Sequence, residues 1–137
     1  MTDFLSSLKI AATGLHAQND RMRIIAENLA NSDSAGKTPT DTPYRRRIPT
    51  FQAVMDAEAG GEVVKVGNIA LDMSDFQTRY EPGHPAADAR GYVKYPNVDP
   101  LIETMDMREA QRTYEANLNV VTVTRQMLGR TLDILKG

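Results

Sequence analysis

Apolar side chains recur every seven residues at both ends of this chain. The first series consists of Leu8, Leu15, Met22 and Leu29, and the last of Met107, Tyr114, Val121, Leu128 and Leu135. A companion series lies three or four residues away, and its members are Phe4, Ala11, Gln18 and Ile25, then Ala110, Asn117, Thr124 and Thr131. Such alternating steps are typical of a coiled-coil seam. The pattern predicts amphipathic helices over residues 3–31 and 99–136.

Local signals mark the inner ends of both predicted helices. Asn31 and Ser32 are expected to end the first helix. Asp99 is a suitable N-cap for the second helix, and Pro100 fits its first helical position because proline has no N–H to satisfy there. Acidic residues gather early in the second helix and basic residues late, which suits the helix dipole.

Turn formers and short β-like runs fill the middle segment, residues 32–98. Residues 32–43 are expected to form a loop, and residues 53–59 a helical turn. The predicted strands lie within residues 44–51, 62–73, 76–80 and 91–95. Proline followed by glycine in Glu81-Pro82-Gly83-His84 predicts a type II turn. This segment should therefore make a hairpin or a small sheet.

We predict a mainly α fold with a small β insertion. The N- and C-terminal helices are expected to pair as an antiparallel coiled coil. Residues 1–31 and 99–137 would then form one discontinuous helical domain, and residues 32–98 would form a loop plus a small β segment. Packing supplies most of the stability of a helix in water, so each helix needs a partner.

A pair of helices buries only one seam, which leaves much of these two apolar stripes without a partner. Ile10, Ile24 and Val120 are expected to stay exposed, and Gln18 and Asn117 place polar groups on the seam itself. We infer that the helices are incomplete alone and are completed by other subunits.

Composition excludes several kinds of site and disfavours others. The net charge is −2, whereas nucleic-acid-binding domains normally carry a clear basic excess. The chain has no cysteine, which excludes disulfides and cysteine-ligated metals. The start lacks the basic leader and uninterrupted apolar run of a secretory signal, and no stretch has the ~20 apolar residues of a membrane span. We expect no metal and no other cofactor.

No catalytic motif emerges from the sequence. His16 and His84 lack a metal-ligand spacing, and the acidic cluster of Glu103, Asp106 and Glu109 has an explanation in the helix dipole. The chain contains no phosphate-binding glycine loop, no nucleophile elbow and no zinc-protease motif. The sequence therefore does not indicate an enzyme.

Some polar residues allow two interpretations each. Asn28 and Asn31 either belong to a fraying helix end or share a face that binds the backbone of a neighbouring subunit. Arg45, Arg46 and Arg47 form either a solvated charged run or a salt-sensitive contact with an acidic neighbour. Glu115 and Asn117 in the last helix likewise either have a local role or contact a neighbouring subunit. In the second case they could fix the register of the seam.

Three motifs resemble a known bacterial family. The pattern Gly14-Leu15-x-Ala17-Gln18-x-x-Arg21, followed by Ala26-x-Asn28-Leu29-Ala30-Asn31, is similar to the N-terminal signature of the flagellar rod and hook family. The stretches Tyr80-Glu81-Pro82-Gly83-His84-Pro85-x-Ala87-Asp88-x-x-Gly91-Tyr92-Val93 and Pro96-Asn97-Val98-Asp99 resemble its proximal-rod members. Arg112-x-Tyr114-Glu115-Ala116-Asn117 completes the resemblance, which covers nearly the whole chain.

The resemblance implies a structural role in the flagellar basal body. Members of that family pair their terminal helices and stack into an axial drive shaft that transmits torque across the periplasm. Export through the flagellar type III apparatus, without a cleaved signal peptide, is implied too. The implied partners are other rod proteins (FlgB, FlgF and FliE) and further copies of the same chain.

Combined with the seam pattern, this resemblance predicts a set of subunit-interface residues. They are Leu8, Leu15, Gln18, Met22, Ile25, Asn28, Leu29, Asn31, Tyr114, Asn117, Val121, Leu128 and Leu135. The candidate polar contacts are Arg45, Arg46, Arg47 and Glu115. Two other hypotheses are a self-contained coiled-coil adaptor for one partner helix and a small hydrolase using His84 or the acidic cluster.

Overall fold

The computed structural model describes residues 2–137, except for the side chains of Thr2 and Asp3. Along the sequence, six short strands lie between two long helices. The elements are α1 (Thr2–Ala30), β1 (Arg47–Ile48), β2 (Phe51–Asp56), β3 (Gly61–Val66), β4 (Ala70–Leu71), β5 (Gln77–Tyr80), β6 (Tyr92–Tyr95) and α2 (Pro100–Lys136). The strands form three two-stranded antiparallel sheets, β1–β4, β2–β3 and β5–β6. This confirms a mainly α fold with a small β insertion. Over the described range, neither helix has a stretch apolar enough to cross a membrane.

The chain divides into two compact units. The first unit contains α1 up to Met22, residues 50–68 and α2 from Arg108 onward. The second unit contains residues 23–49 and 69–107. Both long helices contribute to both units.

In the first unit, β2 and β3 form a regular hairpin. Its register runs from Phe51 opposite Val66 to Asp56 opposite Gly61. The carboxylate of Asp56 accepts hydrogen bonds from two backbone N–H groups in the loop, at 2.9 and 3.2 Å, and Gly60 takes a positive φ of 73°. The predicted helical turn over residues 53–59 is therefore wrong. Cross-strand pairing along β2 outweighs the weak helical preference of this stretch.

The hairpin and α2 both pack against α1 within the first unit. Lys9 donates a hydrogen bond from Nζ to the Glu58 carbonyl at 3.1 Å. Val63 of β3 is fully buried. A Cβ added to Gly14 would lie 2.9 Å from the amide nitrogen of Asn117, so the absence of a side chain lets the two helices approach closely there.

The predicted seam of α2 is its least exposed stripe. From Arg108 onward, the buried or partly buried residues of α2 are Ala110, Thr113, Tyr114, Asn117, Val121, Thr124, Leu128 and Thr131. Apart from Thr113, all lie on the two predicted series. Leu135, the last predicted seam residue, is 72% exposed.

In the second unit, a small apolar cluster stands beside the β5–β6 pair. Val93 is fully buried, and Ala86 and Tyr95 pack with it. Gly91 has a φ of 85°, and a Cβ there would lie 2.8 Å from a ring carbon of Tyr80. Only glycine therefore fits this position without strain.

The turn before β6 differs from its prediction. His84 N–H bonds to the Glu81 carbonyl at 3.0 Å, which closes a four-residue turn. Among the described residues, only Gly60 and Gly91 have positive φ, so Gly83 cannot occupy the third position of a type II turn. Proline at the second position is equally compatible with a type I turn, and the sequence did not distinguish the two.

The capping prediction for α2 is confirmed. Asp99 accepts a hydrogen bond from the Leu101 N–H at 3.0 Å, and Pro100 is the first helical residue.

The predicted exposure of Ile24 is wrong, because its side chain is only 1% exposed. Val120 is 49% exposed, as expected. The sequence argument considered only one seam per helix, whereas α1 also buries a second face.

Candidate assembly surface and buried polar cluster

Asn28 is the centre of a buried polar cluster in the second unit. Its side chain is 0% exposed. Its amide oxygen accepts hydrogen bonds from the Tyr44 hydroxyl at 2.7 Å and the Arg47 N–H at 3.0 Å. Its amide nitrogen donates to the Arg47 carbonyl at 2.9 Å and to Glu103 at 3.4 Å. The side chain therefore satisfies both backbone groups of Arg47, as a neighbouring strand would.

Arg46 carries the charge that balances the buried Glu103 of the same cluster. The Arg46 Nε donates to Glu103, and the two Nη atoms reach Asp72 at 3.5 Å and Asp106 at 3.4 Å. Burial by itself would lower the pKa of Arg46, but the hydrogen bond and charge of Glu103, helped by both aspartates, raise it above its ordinary value. Arg46 is therefore held charged, with one guanidinium serving three carboxylates.

The other two arginines of the run also bind inside the chain. Arg45 donates to the Asp72 carbonyl at 2.8 Å, and its guanidinium stacks over the Phe76 ring at 4.2 Å. Arg47 donates to the Glu27 carboxylate at 2.9 Å. The acidic neighbours of the arginine run thus belong to this same chain, so the run stabilises the second unit.

Two further groups hold this cluster in place. The Asn97 amide oxygen accepts from the Arg46 N–H at 2.8 Å, and its nitrogen donates to the Asp72 carbonyl at 2.8 Å. Hydrogen bonds from the Ser74 backbone and side chain, with a smaller effect of Arg46, lower the pKa of Asp72. Burial, with smaller effects of the Glu27 and Glu103 charges, raises the pKa of Tyr44 against the opposing charge of Arg47. The cluster therefore joins the end of α1, β1 and the start of α2 through polar groups.

The predicted interface residues divide by exposure. Ile25 and Asn28 are buried. Those that are partly buried are Leu8, Leu15, Gln18, Met22, Leu29, Asn31, Tyr114, Asn117, Val121 and Leu128. Leu135 is exposed, as is Glu115. Asn31 donates to the Glu27 carbonyl at 2.8 Å and accepts from Ser34, so it completes the end of its own helix. The contacts of these residues between subunits stay a prediction.

The sequence reasoning missed an apolar surface beside the seam of α2. Val123, Met127 and Ile134 are 52%, 49% and 79% exposed. Leu101 and Met105, in the second unit, are 69% and 62% exposed. Large exposed apolar side chains grouped along a helix are typical of protein-interaction sites. The signal was present in the sequence as spacings of four and seven residues next to the seam.

The residues suggested for catalysis have structural partners. The Nδ1 of His84 accepts a hydrogen bond from the Ala86 N–H at 3.0 Å. Asp106 faces Arg46, and Glu109 lies 3.6 Å from Arg21. Within the part of the chain that the structure describes, no group of three potential ligands could hold a metal ion.

Comparison with known proteins identifies the family. Residues 89–134 match the family model described as "Flagellar basal body rod FlgEFG protein C-terminal". The chain is 48% identical to the flagellar basal-body rod protein FlgC of Agrobacterium fabrum over 137 residues, 100% of this chain and 99% of that protein. It is 41% identical to FlgC of Aquifex aeolicus over 136 residues, 99% of this chain and 100% of that protein. FlgC of Escherichia coli O157:H7 is 40% identical over 132 residues, 95% of this chain and 96% of that protein. This chain belongs to the FlgC family of flagellar basal-body rod proteins.

Proposed function

We propose that this chain is a structural subunit of the flagellar basal-body rod. The observation that carries the proposal is the 48% identity to a rod protein along the whole chain. The finer assignment is to the proximal rod, a periplasmic drive shaft that transmits torque. The subunit reaches it through the type III export apparatus without a cleaved signal peptide. There it assembles with FlgB, FlgF, FliE and further copies of itself, with no catalytic step.

The terminal helices pair as an antiparallel coiled coil in this proposal. Two contacts in the first unit support it: Gly14 packs against Asn117, and Arg21 faces Glu109 at 3.6 Å. Moving along α1 from residue 14 to 21 moves back along α2 from residue 117 to 109, as antiparallel helices require. The helical domain of residues 1–31 and 99–137, with residues 32–98 as the inserted β segment, belongs to the same proposal.

The exposed and partly exposed members of the predicted interface set supply the contacts between subunits in this proposal. Leu135 is the most exposed of its members. A leucine side chain gains about 1.5–3 kcal/mol when it moves from water into an apolar contact. Other apolar side chains of α2, among them Leu118, Val123 and Ile134, are exposed as well, so assembly with neighbouring subunits has apolar surface to bury.

Gene replacement tests the proposal in cells. A strain that lacks the chain should be non-motile and should regain motility with the wild-type gene, and purified basal bodies should contain the chain. Leu135→Asp should abolish motility because it places a charge in a contact between subunits, whereas Leu135→Met should not. The side chain is exposed, so neither change disturbs folding, which circular dichroism would check. Basal bodies that lack the chain, or motility without it, would refute the proposal.

Leu29→Asp tests the seam of α1 in the same strain. Leu29 is partly buried, so the change should block motility and rod assembly. Ala30→Asp, on an exposed neighbouring position, is the matched control and should leave both intact. Normal motility in the Leu29→Asp strain would contradict the seam assignment.

A further inference from the structure

The outer edge of β2 carries backbone groups that do not bond to β3. The Gly67 N–H donates to the Thr50 carbonyl at 2.7 Å, directly before the first register pair of the hairpin. Because hydrogen-bonded pairs alternate along an antiparallel ladder, every second residue after Thr50 bonds to β3, and the residues between them point the other way. The outward-pointing backbone N–H and C=O groups are those of Phe51, Ala53 and Met55.

Within the described residues, β3 is the strand that pairs with β2, and the opposite edge of β2 has no strand beside it. β3 lies on the helix side of the hairpin, where Val63 is fully buried and a Cβ added to Gly61 would lie 3.3 Å from Ile10 of α1. The first five residues of β2 are all exposed, and Met55 is 75% exposed. The outer edge of β2 is therefore open to another chain.

β2 has none of the usual features that protect an edge strand from pairing. It contains no proline, its one charged residue is the last, Asp56, and its register with β3 runs without a bulge. A two-stranded hairpin alone is marginally stable in water, whereas three or more strands stabilise one another. The edge therefore fits an extended strand, because a strand presents N–H and C=O groups at the matching spacing.

The sequence of β2 is complementary to itself in the antiparallel direction. In a pair centred on Ala53, the outward groups of Phe51 meet those of Met55 from the other copy, and Ala53 meets Ala53. Three such pairs exchange about six hydrogen bonds. The contact between an aromatic ring and a thioether is favourable, and the two-fold symmetry produces it twice. No like charges lie opposite each other in this register, since Asp56 meets Thr50.

We propose that β2 pairs antiparallel with β2 of a second copy, about a two-fold axis at Ala53. The two hairpins then form one four-stranded sheet in the order β3–β2–β2–β3. Both copies use the same surface, so the contact closes as a pair and does not propagate. It is a state of the unassembled chain, separate from the repeating contacts of an axial stack, and it does not depend on the proposed function. In this pair the edge is covered and no longer accepts other strands unselectively.

Charges placed at the two-fold axis test the pairing in the purified chain. Light scattering over a dilution series should show a dimer that dissociates to a monomer. Ala53→Lys and Ala53→Glu each place like charges opposite each other, so each should weaken the dimer about fivefold, and a mixture of the two variants should restore it. Asn68→Lys, at an exposed position beyond β3, is the matched control and should leave the dimer intact. Circular dichroism checks that all variants fold, as expected for exposed positions.

Single cysteines test the register independently, because the chain has no cysteine of its own. Opposing Cα atoms of a hydrogen-bonded pair are ~5.5 Å apart, within the reach of a disulfide, so Ala53→Cys should form a linked dimer in oxidised glutathione. Phe51→Cys is the matched control, since its two copies are offset by four residues, about 13 Å along the strand. A mixture of Phe51→Cys with Met55→Cys should form a dimer that contains one chain of each variant.

Several results would overturn this inference. A wild-type chain that stays monomeric at every concentration does so, and so does a charge mixture that binds no tighter than its separate variants. Equal linkage of Ala53→Cys and Phe51→Cys, or no linkage of Ala53→Cys, excludes the register. Products of three or more chains exclude closure as a pair, and linkage of Ala53→Cys to a different polypeptide in cell extract excludes a second copy as the occupant. The proposed function stands in each case, because gene replacement tests it separately.

Discussion

Asn28→Ala should destabilise the second unit more than the same change at the partly exposed amide of Asn31. The substitution removes an amide that makes three hydrogen bonds of 2.7–3.0 Å, to the Tyr44 hydroxyl and both backbone groups of Arg47. It also removes a longer one to Glu103, at 3.4 Å. At about 1 kcal/mol for each of the three short bonds, the loss in the free energy of unfolding is about 3 kcal/mol. Whole domains have only about 5–15 kcal/mol of stability.

Urea denaturation followed by tyrosine fluorescence measures this loss. The chain has five tyrosines and no tryptophan, and all the tyrosines except Tyr114 lie in the second unit. With a slope of about 2 kcal/mol per molar urea, the midpoint should fall by about 1.5 M. Asn31→Ala is the matched control, since this neighbouring amide is partly exposed and serves only its own helix end. Its midpoint should fall by less than half as much.

Hydrogen exchange at the Arg47 amide provides a second measurement of the same bond. Its N–H donates to Asn28 Oδ1, so its protection should drop in Asn28→Ala and persist in Asn31→Ala. A midpoint within about 0.5 M of wild type, corresponding to about 1 kcal/mol, would refute the reasoning. Unchanged protection of the Arg47 amide would do so as well.

Other predictions concern the same unit and use the same unfolding assay. Arg46→Lys replaces a guanidinium that contacts three carboxylates with a single ammonium, and it should lower the free energy of unfolding by about 2 kcal/mol. Arg47→Lys alters one partly exposed ion pair and should lower it by less than about 1 kcal/mol. Equal losses would contradict the central role of Arg46 in the cluster. Gly91→Ala should cost more than about 1 kcal/mol because of its positive φ and its close ring contact, whereas Gly83→Ala, with open space around it, should stabilise by about 0.4–1 kcal/mol. The pKa of Asp72 is lowered from 3.8, chiefly by the Ser74 backbone, so the unfolded chain takes up its proton at higher pH than the folded chain does. Its stabilising effect is therefore complete above pH 3.8 and is lost as the pH falls through the lowered value, and Asp72→Asn should make an acid titration followed by circular dichroism less steep below pH 4.

The parts of the fold that the sequence predicted correctly depend on local signals. The seven-residue repeats identified both helices, because helical periodicity is set within a few turns. Asp99 and Pro100 identified the start of α2 for a similar reason, since a cap bonds to the residues directly after it. The alternative kinds of turn at Gly83 share one sequence pattern, so that detail could not be read in advance.

The buried cluster could not be predicted because it depends on contacts far apart in sequence. Asn28 and Glu103 are separated by 75 positions, and Arg46 and Glu103 by 57. Glu103 was explained by the helix dipole, which is a sufficient local reason for an acidic residue in a first turn. Nothing local indicates that it would be buried and paired with Arg46. Asn28 was weighed as a helix end or as a contact with a neighbour, and its own chain supplies its partners.

Polar and apolar contacts stabilise this chain in different ways. A buried amide and a buried ion pair are strongly directional, and each becomes costly when one partner is removed, so the cluster around Asn28 favours one arrangement of the second unit over its alternatives. Apolar side chains along α2 in the first unit have no such directionality, and many remain in water. Burying them yields free energy whichever apolar surface covers them. Specific partner choice on that surface must therefore come from the exposed polar positions among the apolar ones, such as Asn119 and Gln126.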